Sequence, residues 1–351
     1  MTSAPEVSTH TGEGGLANEK SSEPLGFVLA LAPPELSDHL FGSDMSALHI
    51  PGTAPITTQP LSRFDSDEAR EALAQAEILI TGWGAPRLTD ADLDASPRLR
   101  YLLHAGGQAA ALLPPSACDR GIQVSNAGWV NAIPVAEFTT AMIILANKST
   151  FHARRLYEER RARIDREVDF PTAGNVGKTV GVVGASRIGR VVIERLGGFD
   201  LEVVVYDPYL TSVDAARLGA TLVGLDELLM MSDVVTLHPP LTASTTHMIG
   251  ATQLALMKNG ATLINTSRGL IVDQDALVAE LRTGRIEAIL DVTSPDVLPP
   301  DSELFTMPNV FLTPHIAGSM GSEIRRMGDH VASELERIVL GQPLAFPEAL
   351  Q

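Results

Sequence analysis

The chain has 351 residues, enough for two domains at roughly 150 residues each, and its 44% hydrophobic and 20% charged residues suit a large core without staples. Lys and Arg number 26 against 43 Asp and Glu, a formal charge of −17, which argues against a nucleic-acid partner and against polybasic attachment to a membrane. The one cysteine, Cys118, excludes an intrachain disulfide and a multi-thiolate zinc site, so no metal is expected.

Residues 1–24 are rich in Ser, Thr, Gly, Glu and Pro and are expected to form a disordered tail. No basic segment followed by an apolar one opens the chain, and no apolar run reaches about 18 residues. A cytoplasmic protein without a spanning helix is therefore expected. Strand-length apolar runs follow at Gly26–Leu31, Ile78–Thr81, Leu99–Leu103 and Ile122–Ser125, with a helical piece at 67–76. This alternation predicts a small parallel α/β unit. A stretch from Ala132 to about Ile164 has no glycine and only Pro134 near its start, and predicts one long helix. Its first half is apolar nearly all round, which implies deep burial. Its second half carries an Arg-rich run, read as a solvated face with i,i+4 ion pairs. A second α/β series has strands at Thr179–Val183, Leu201–Tyr206, Thr221–Val223, Val234–Leu237, Ala261–Thr266, Ala288–Asp291 and Val310–Leu312. Helices are expected at 186–197, 211–218, 225–231, 251–257 and 273–283, and a last one carries Ile324, Met327, Val331, Leu335 and Ile338 on one face.

The clearest local motif runs Gly184-Ala185-Ser186-Arg187-Ile188-Gly189, after an apolar strand and at the start of a helix. Gly184 permits a tight turn, Gly189 lets the helix pack on the strand, and the helix N-terminus offers N–H groups to a pyrophosphate. Ser186 stands where a glycine is usual; it is small, and its hydroxyl can donate to a phosphate oxygen. Asp207 follows 23 residues after Gly184, at the end of the next strand. An acid there accepts from adenosine ribose hydroxyls and repels a 2′-phosphate, which favours NAD over NADP.

Three later strands end in polar residues: Asn265-Thr266-Ser267-Arg268-Gly269, Asp291-Val292 followed by Asp296, and Thr313-Pro314-His315-Ile316-Ala317-Gly318. Arginine suits bidentate carboxylate binding, and histidine beside a carboxylate suits proton donation. Singly, each has a plainer reading: a surface ion pair for Arg268, a loop histidine for His315, a solvated turn acid for Asp296. Together with Tyr206-Asp207-Pro208, Val234 to Thr242, Val272-Asp273 and Asn131 with Val135-Ala136-Glu137, these motifs resemble the D-isomer-specific 2-hydroxyacid dehydrogenase family over about residues 25–345.

The resemblance implies an α/β fold of two Rossmann-like or flavodoxin-like domains. A NAD-binding domain (131–318) would be inserted into a discontinuous substrate domain (25–130 and 319–351). It also implies a homodimer and interconversion of a 2-oxo acid with a D-2-hydroxy acid. Arg268 would bind the substrate carboxylate, His315 would be proton donor, and Asp296 would orient it. Asp291 would meet the nicotinamide carboxamide. Gly184, Ser186, Arg187, Ile188, Gly189, Asp207, Pro240, Thr246, Thr266, Ser267 and Gly318 would complete the cofactor site, and the backbone of Ala105-Gly106-Gly107 would take the substrate carboxylate. The family usually has Glu where Asp296 stands. The shorter side chain should lengthen its bond to His315, so that reduction fades at lower pH than in Glu-bearing relatives. Two alternatives stay open. One is a formate dehydrogenase-like enzyme, which would carry Gln at that position; the other is an NAD(H)-sensing, corepressor-like binding protein. Trp83 and Trp129 are read as packing residues, Ser319 as a helix N-cap, Met320 as core filler, His238 as part of the cofactor loop, and His104 as either a cleft residue or a strand-end cap.

Overall fold

A computed structural model describes residues 23–349. The tail expected over 1–24 therefore lies outside the described residues except for Glu23 and Pro24, which are exposed and irregular. The first unit runs β1 (Leu25–Ala30), α1 (Leu36–Phe41), β2 (Thr53–Pro55), α2 (Asp67–Gln75), β3 (Ile78–Thr81), α3 (Asp90–Asp94), β4 (Tyr101–His104) and β5 (Gln123–Asn126). α4 (Gly128–Asn147), α5 (Thr150–Arg160) and α6 (Arg166–Asp169) then lead into a second series. This comprises β6 (Thr179–Val183), α7 (Arg187–Leu196), β7 (Glu202–Tyr206), α8 (Ser212–Leu218), β8 (Thr221–Leu222), α9 (Leu225–Met231), β9 (Val234–Leu237), α10 (Ala251–Leu256), β10 (Thr262–Asn265), α11 (Gln274–Arg282), β11 (Glu287–Leu290) and β12 (Val310–Leu312). α12 (Ile324–Val339) and β13 (Pro347–Glu348) return to the first unit.

Two sheets result, ordered β13-β5-β4-β3-β1-β2 and β12-β11-β10-β9-β6-β7-β8. Every pairing is parallel except β13 with β5. The strands β3, β6, β9 and β10 are buried along their whole length, as expected when helices cover both faces of a parallel sheet. In both sheets the strand order reverses beside the first strand of the unit, β1 or β6, which places ligand-binding crevices at the strands' C-terminal ends.

The expected single helix over 132–164 is two. Ser149 takes a left-handed conformation (φ 52°) between α4 and α5. The carbonyl of Asn147 is taken by Gly174 N–H at 2.7 Å, and the turn stacks Phe151 on Phe311 with ring centroids 4.4 Å apart. Burial of α4 is one-sided rather than complete: Ala132, Val135, Ala136, Thr139 and Ile143 are buried, but Phe138, Met142, Ile144 and Leu145 are half-exposed. By length and composition α4 could cross a membrane, which qualifies the expectation from unbroken apolar runs. In the fold it packs on α7, β9, β10 and α12. The Arg-rich run is a solvated face, with Arg154 and Glu158 paired at 2.9 Å across one turn and Arg160 held to Asp169 at 2.7 Å. Asn131, near the start of α4, ties that helix to the segment before α12, its side-chain oxygen accepting from Ser319 N–H at 2.8 Å.

Candidate active site

The turn between β6 and α7 has the geometry of a phosphate cradle. Gly184 has φ 93°, and a Cβ there would lie 2.7 Å from the nitrogen of Pro239. A Cβ on Gly189 would lie 2.0 Å from the carbonyl oxygen of Gly184. Both positions demand glycine, and Gly189→Ala is expected to weaken NADH binding at least about tenfold, measured by fluorescence titration. Ser186 escapes that demand because its backbone is extended, with φ −65°. It is the N-cap of α7, accepting from Gly189 N–H at 3.3 Å, and its own hydroxyl proton stays free to donate. The Asp207 carboxylate accepts from Ala185 N–H at 2.8 Å and Tyr209 N–H at 2.9 Å, so an anion is fixed beside the turn. These residues fit a dinucleotide without a 2′-phosphate.

A cavity of about 290 Å³ opens next to this turn, between the two sheets. Ser186, Arg187, Ile188, Pro240, Thr266, Ser267, Arg268, Asp291, His315 and Gly318 line it, together with Gly107 from the first unit. A larger hollow of about 1030 Å³ against α5 holds none of the expected site residues. Thr246 stands apart from the 290 Å³ cavity, exposed, with its hydroxyl donating to the Thr242 carbonyl at 2.8 Å.

Arg268 is presented by a braced turn after β10. Asn265 accepts from Ser267 N–H (3.1 Å) and donates to the carbonyl of Arg268 (2.9 Å). Thr139 on α4 meets Thr266, Oγ1 to Oγ1, at 2.9 Å. Gly269 lets this turn touch the next loop, since a Cβ there would lie 2.0 Å from the carbonyl oxygen of Thr293. The guanidinium donates to the Ser267 carbonyl at 2.7 Å, and among the described residues no carboxylate pairs with it. The surface-ion-pair reading of Arg268 is thereby set aside.

His315 has φ 56°, a left-handed conformation uncommon for a side chain with a Cβ. Asp291 holds it there: its backbone carbonyl accepts from His315 N–H at 3.0 Å, and its carboxylate accepts from Thr313 Oγ1, Ile316 N–H and Ala317 N–H at 2.7, 2.8 and 2.9 Å. Asp291 is 2% exposed, and these three donors leave room for at most one more on Oδ2. Its main structural task is to brace the histidine loop, which sequence reasoning missed. Nδ1 of His315 lies 3.2 and 3.4 Å from the two oxygens of Asp296. Both exceed the roughly 2.7–2.9 Å of a tight charge-assisted bond, in keeping with the shorter acid. Asp296 itself lies outside the 290 Å³ cavity, behind His315, and lines a neighbouring hollow of about 500 Å³.

On the opposite wall the substrate loop departs from expectation at one residue. The N–H of Ala105 bonds Thr81 O at 2.8 Å within the sheet, so it cannot serve a ligand. The N–H groups of Gly106, Gly107 and Gln108 have no acceptor among the described residues. Gln108, which also lines the cavity, carried no sequence signal. Gly106 covers the ring of His104, whose Nε2 would lie 2.2 Å from a Cβ at position 106. His104 bonds Thr81 Oγ1 through Nδ1 at 2.9 Å, and burial lowers its pKa to about 4.

Other expectations need correction. Trp83 and Trp129 are 38% and 42% exposed, not packed, and Trp129 lies under the guanidinium of Arg187, 5.4 Å from ring centroid to Cζ. Ser319 does not cap α12, which starts after Glu323, and Met320 is exposed. His238 is fully buried on the cavity wall, with Nε2 2.9 Å from Thr236 Oγ1 and Nδ1 unpartnered. Burial lowers its pKa to about 3. A depressed histidine pKa means that the unfolded chain binds the proton first, so its contribution is present above about pH 6.5 and lost as pH falls toward 3. Between pH 7 and 5 this amounts to about 2 kcal/mol. His238→Gln is expected to show a correspondingly shallower acid loss in urea titrations at the two pH values.

Residues 140–317 match the family model described as D-isomer specific 2-hydroxyacid dehydrogenase, NAD binding domain. The glyoxylate reductase of Korarchaeum cryptofilum is 37% identical over 244 residues, 69% of this chain and 74% of that one. The D-3-phosphoglycerate dehydrogenase of Methanocaldococcus jannaschii is 33% identical over 278 residues, 79% of this chain but only 52% of that enzyme, so the chain spans about half its length. The crystal structure of D-lactate dehydrogenase from Aquifex aeolicus, complexed with NAD and lactic acid, is similar with a TM-score of 0.70 at 27% identity, covering 90% of this chain and 96% of that one. The fold and the phosphate-binding turn thus define a protein with a NAD-binding domain. The chain belongs to the D-isomer-specific 2-hydroxyacid dehydrogenase family.

Proposed function

We propose that the protein reduces a small, unphosphorylated 2-oxo acid to the D-2-hydroxy acid with NADH. The observation that carries this reading is the meeting of Arg268, His315, Gly107 and Gln108, the last two with unpaired N–H groups, around one cavity beside the Gly184–Gly189 turn. Bound NADH would supply the hydride. The chain's own groups do the rest. Arg268 and the loop N–H groups bind and orient the carboxylate. Arg268 also polarises the 2-oxo group. His315, turned by its Nδ1 contact with Asp296, presents Nε2 to the cavity and protonates the carbonyl oxygen. Asp207 and the turn hold the dinucleotide, with Arg187 near its phosphates. Domain boundaries near residues 130 and 319 suit this arrangement, since each borders the cavity.

The cationic side chains lining the cavity are Arg187 and Arg268. Arg120 is bound to Asp94, and Arg100 lies against Tyr101 outside it. Among the described residues no further Arg or Lys lines the cavity to meet a substrate phosphate, which favours a glyoxylate-like acid over 3-phosphoglycerate. An acid at Asp296 is at odds with a formate dehydrogenase, for which Gln is expected. The test is NADH oxidation with glyoxylate, pyruvate, hydroxypyruvate, phenylpyruvate and 2-oxoisocaproate. Turnover of at least one supports the reading, and NADH binding without turnover of any overturns it in favour of a sensor. The half-exposed apolar face of α4 supports a homodimer. Light scattering is expected to give twice the chain mass of 37.3 kDa, and Leu145→Glu to shift it to the monomer.

A further inference from the structure

Glu348 stands on β13, the last strand described, and its side chain reaches back to the substrate loop. One carboxylate oxygen accepts from Ala109 N–H at 2.9 Å and from the Asn126 amide at 2.7 Å. The other accepts from Ala110 N–H at 3.3 Å. The strand that carries it is anchored independently. Glu334 on α12, 1% exposed, accepts from Ala345 N–H (2.9 Å) and Phe346 N–H (3.0 Å), and Ser125 Oγ lies 2.9 Å from it. Pairing of Glu348 with Val124 fixes the strand's register on the sheet. The carboxylate therefore belongs to the rigid frame, not to the loop it holds.

That arrangement divides the loop's donors. The N–H of Ala105 goes to the sheet, and those of Ala109 and Ala110 go to Glu348. The three between them are left unpaired. Two of the three are glycines, whose backbone freedom would let the N–H groups point apart unless both ends of the segment were fixed. The Ala105–Thr81 bond and the His104 ring fix one end; Glu348 fixes the other. Asn126 extends the link, since its oxygen accepts from Gly128 N–H at 2.8 Å and lies 3.5 Å from Arg187 Nη1. The same carboxylate thus touches the substrate loop and, through one side chain, the start of α4.

We infer that Glu348 is a positioning residue that keeps the 106–108 N–H groups convergent for a carboxylate ligand. The identity of that ligand rests on the dehydrogenase reading; the clamp does not. A carboxylate suits a point where three donors meet, whereas an amide sets its own N–H₂ against one of them. Two variants, Glu348→Gln and Glu348→Ala, test this with two readouts. Amide hydrogen exchange should accelerate at Ala109 and Ala110, whose N–H groups lose their acceptor, while α12 keeps its protection. With glyoxylate as probe, KM should rise about tenfold while kcat falls less than threefold, the pattern of a lost ground-state binding contact. Wild-type exchange in the loop of both variants, or an unchanged KM, overturns the inference. If the wild type reduces none of the 2-oxo acids, the dehydrogenase reading fails by itself. Exchange then decides the clamp alone, faster exchange upholding it and unchanged exchange overturning it.

Discussion

Replacing His315 by Gln is expected to lower kcat for 2-oxo acid reduction by about 10²–10⁴, the range for loss of a positioned general acid, with NADH affinity unchanged. The side chain's surroundings favour an effect on the chemical step. Its Nδ1 faces Asp296, and its backbone is held left-handed by Asp291, so the ring is aimed by groups that make no use of its Nε2. Gln retains a polar end of similar size and removes the titratable nitrogen. Steady-state rates and an NADH titration on the same preparation check the split. Equal rates for the variant and the wild type would remove His315 from the chemistry.

Arg268→Ala is expected to cost about 10³ in kcat/KM, because one group supplies both carboxylate binding and polarisation of the oxo group. Arg268→Lys should recover only part of this, since an ammonium keeps the charge and loses the planar fork. The loss should appear in KM and kcat together, unlike the largely KM effect expected at Glu348. NADH affinity is again the control, because the brace around Arg268, from Asn265 and Thr139, does not depend on the guanidinium. A variant with wild-type kcat/KM would assign the carboxylate to the loop N–H groups alone.

Much of the fold is legible in the sequence where burial is complete. Ile78–Thr81, Thr179–Val183 and Val234–Leu237 form strands over the residues expected, because continuous apolar runs of strand length leave little choice in a covered parallel sheet. The break at Ser149 is not legible, since it depends on Gly174 reaching the Asn147 carbonyl from 27 residues further along. β13 is equally silent: two residues, one a proline, pair with β5 because Glu334 holds the approach to them. At the site, glycines speak plainly when a Cβ would meet backbone, as at Gly184, Gly189 and Gly269. Ser186 shows the converse, since an extended φ needs no glycine. The polar residues missed are those that act through the backbone of others. Asn265, Asp291 in its bracing role and Glu348 are known by what their atoms touch, which spacing along the chain does not encode.

The central claim is that hydride reaches the 2-oxo carbon in the cavity between Arg268 and His315. It is tested most directly by running the reduction of glyoxylate with NADH deuterated at both C4 positions and weighing the product. The account predicts glycolate carrying one deuterium on C2, formed by the wild type and at a much lower rate by His315→Gln. Unlabelled glycolate, or NADH that stays bound and unconsumed with every 2-oxo acid of the panel, would contradict it.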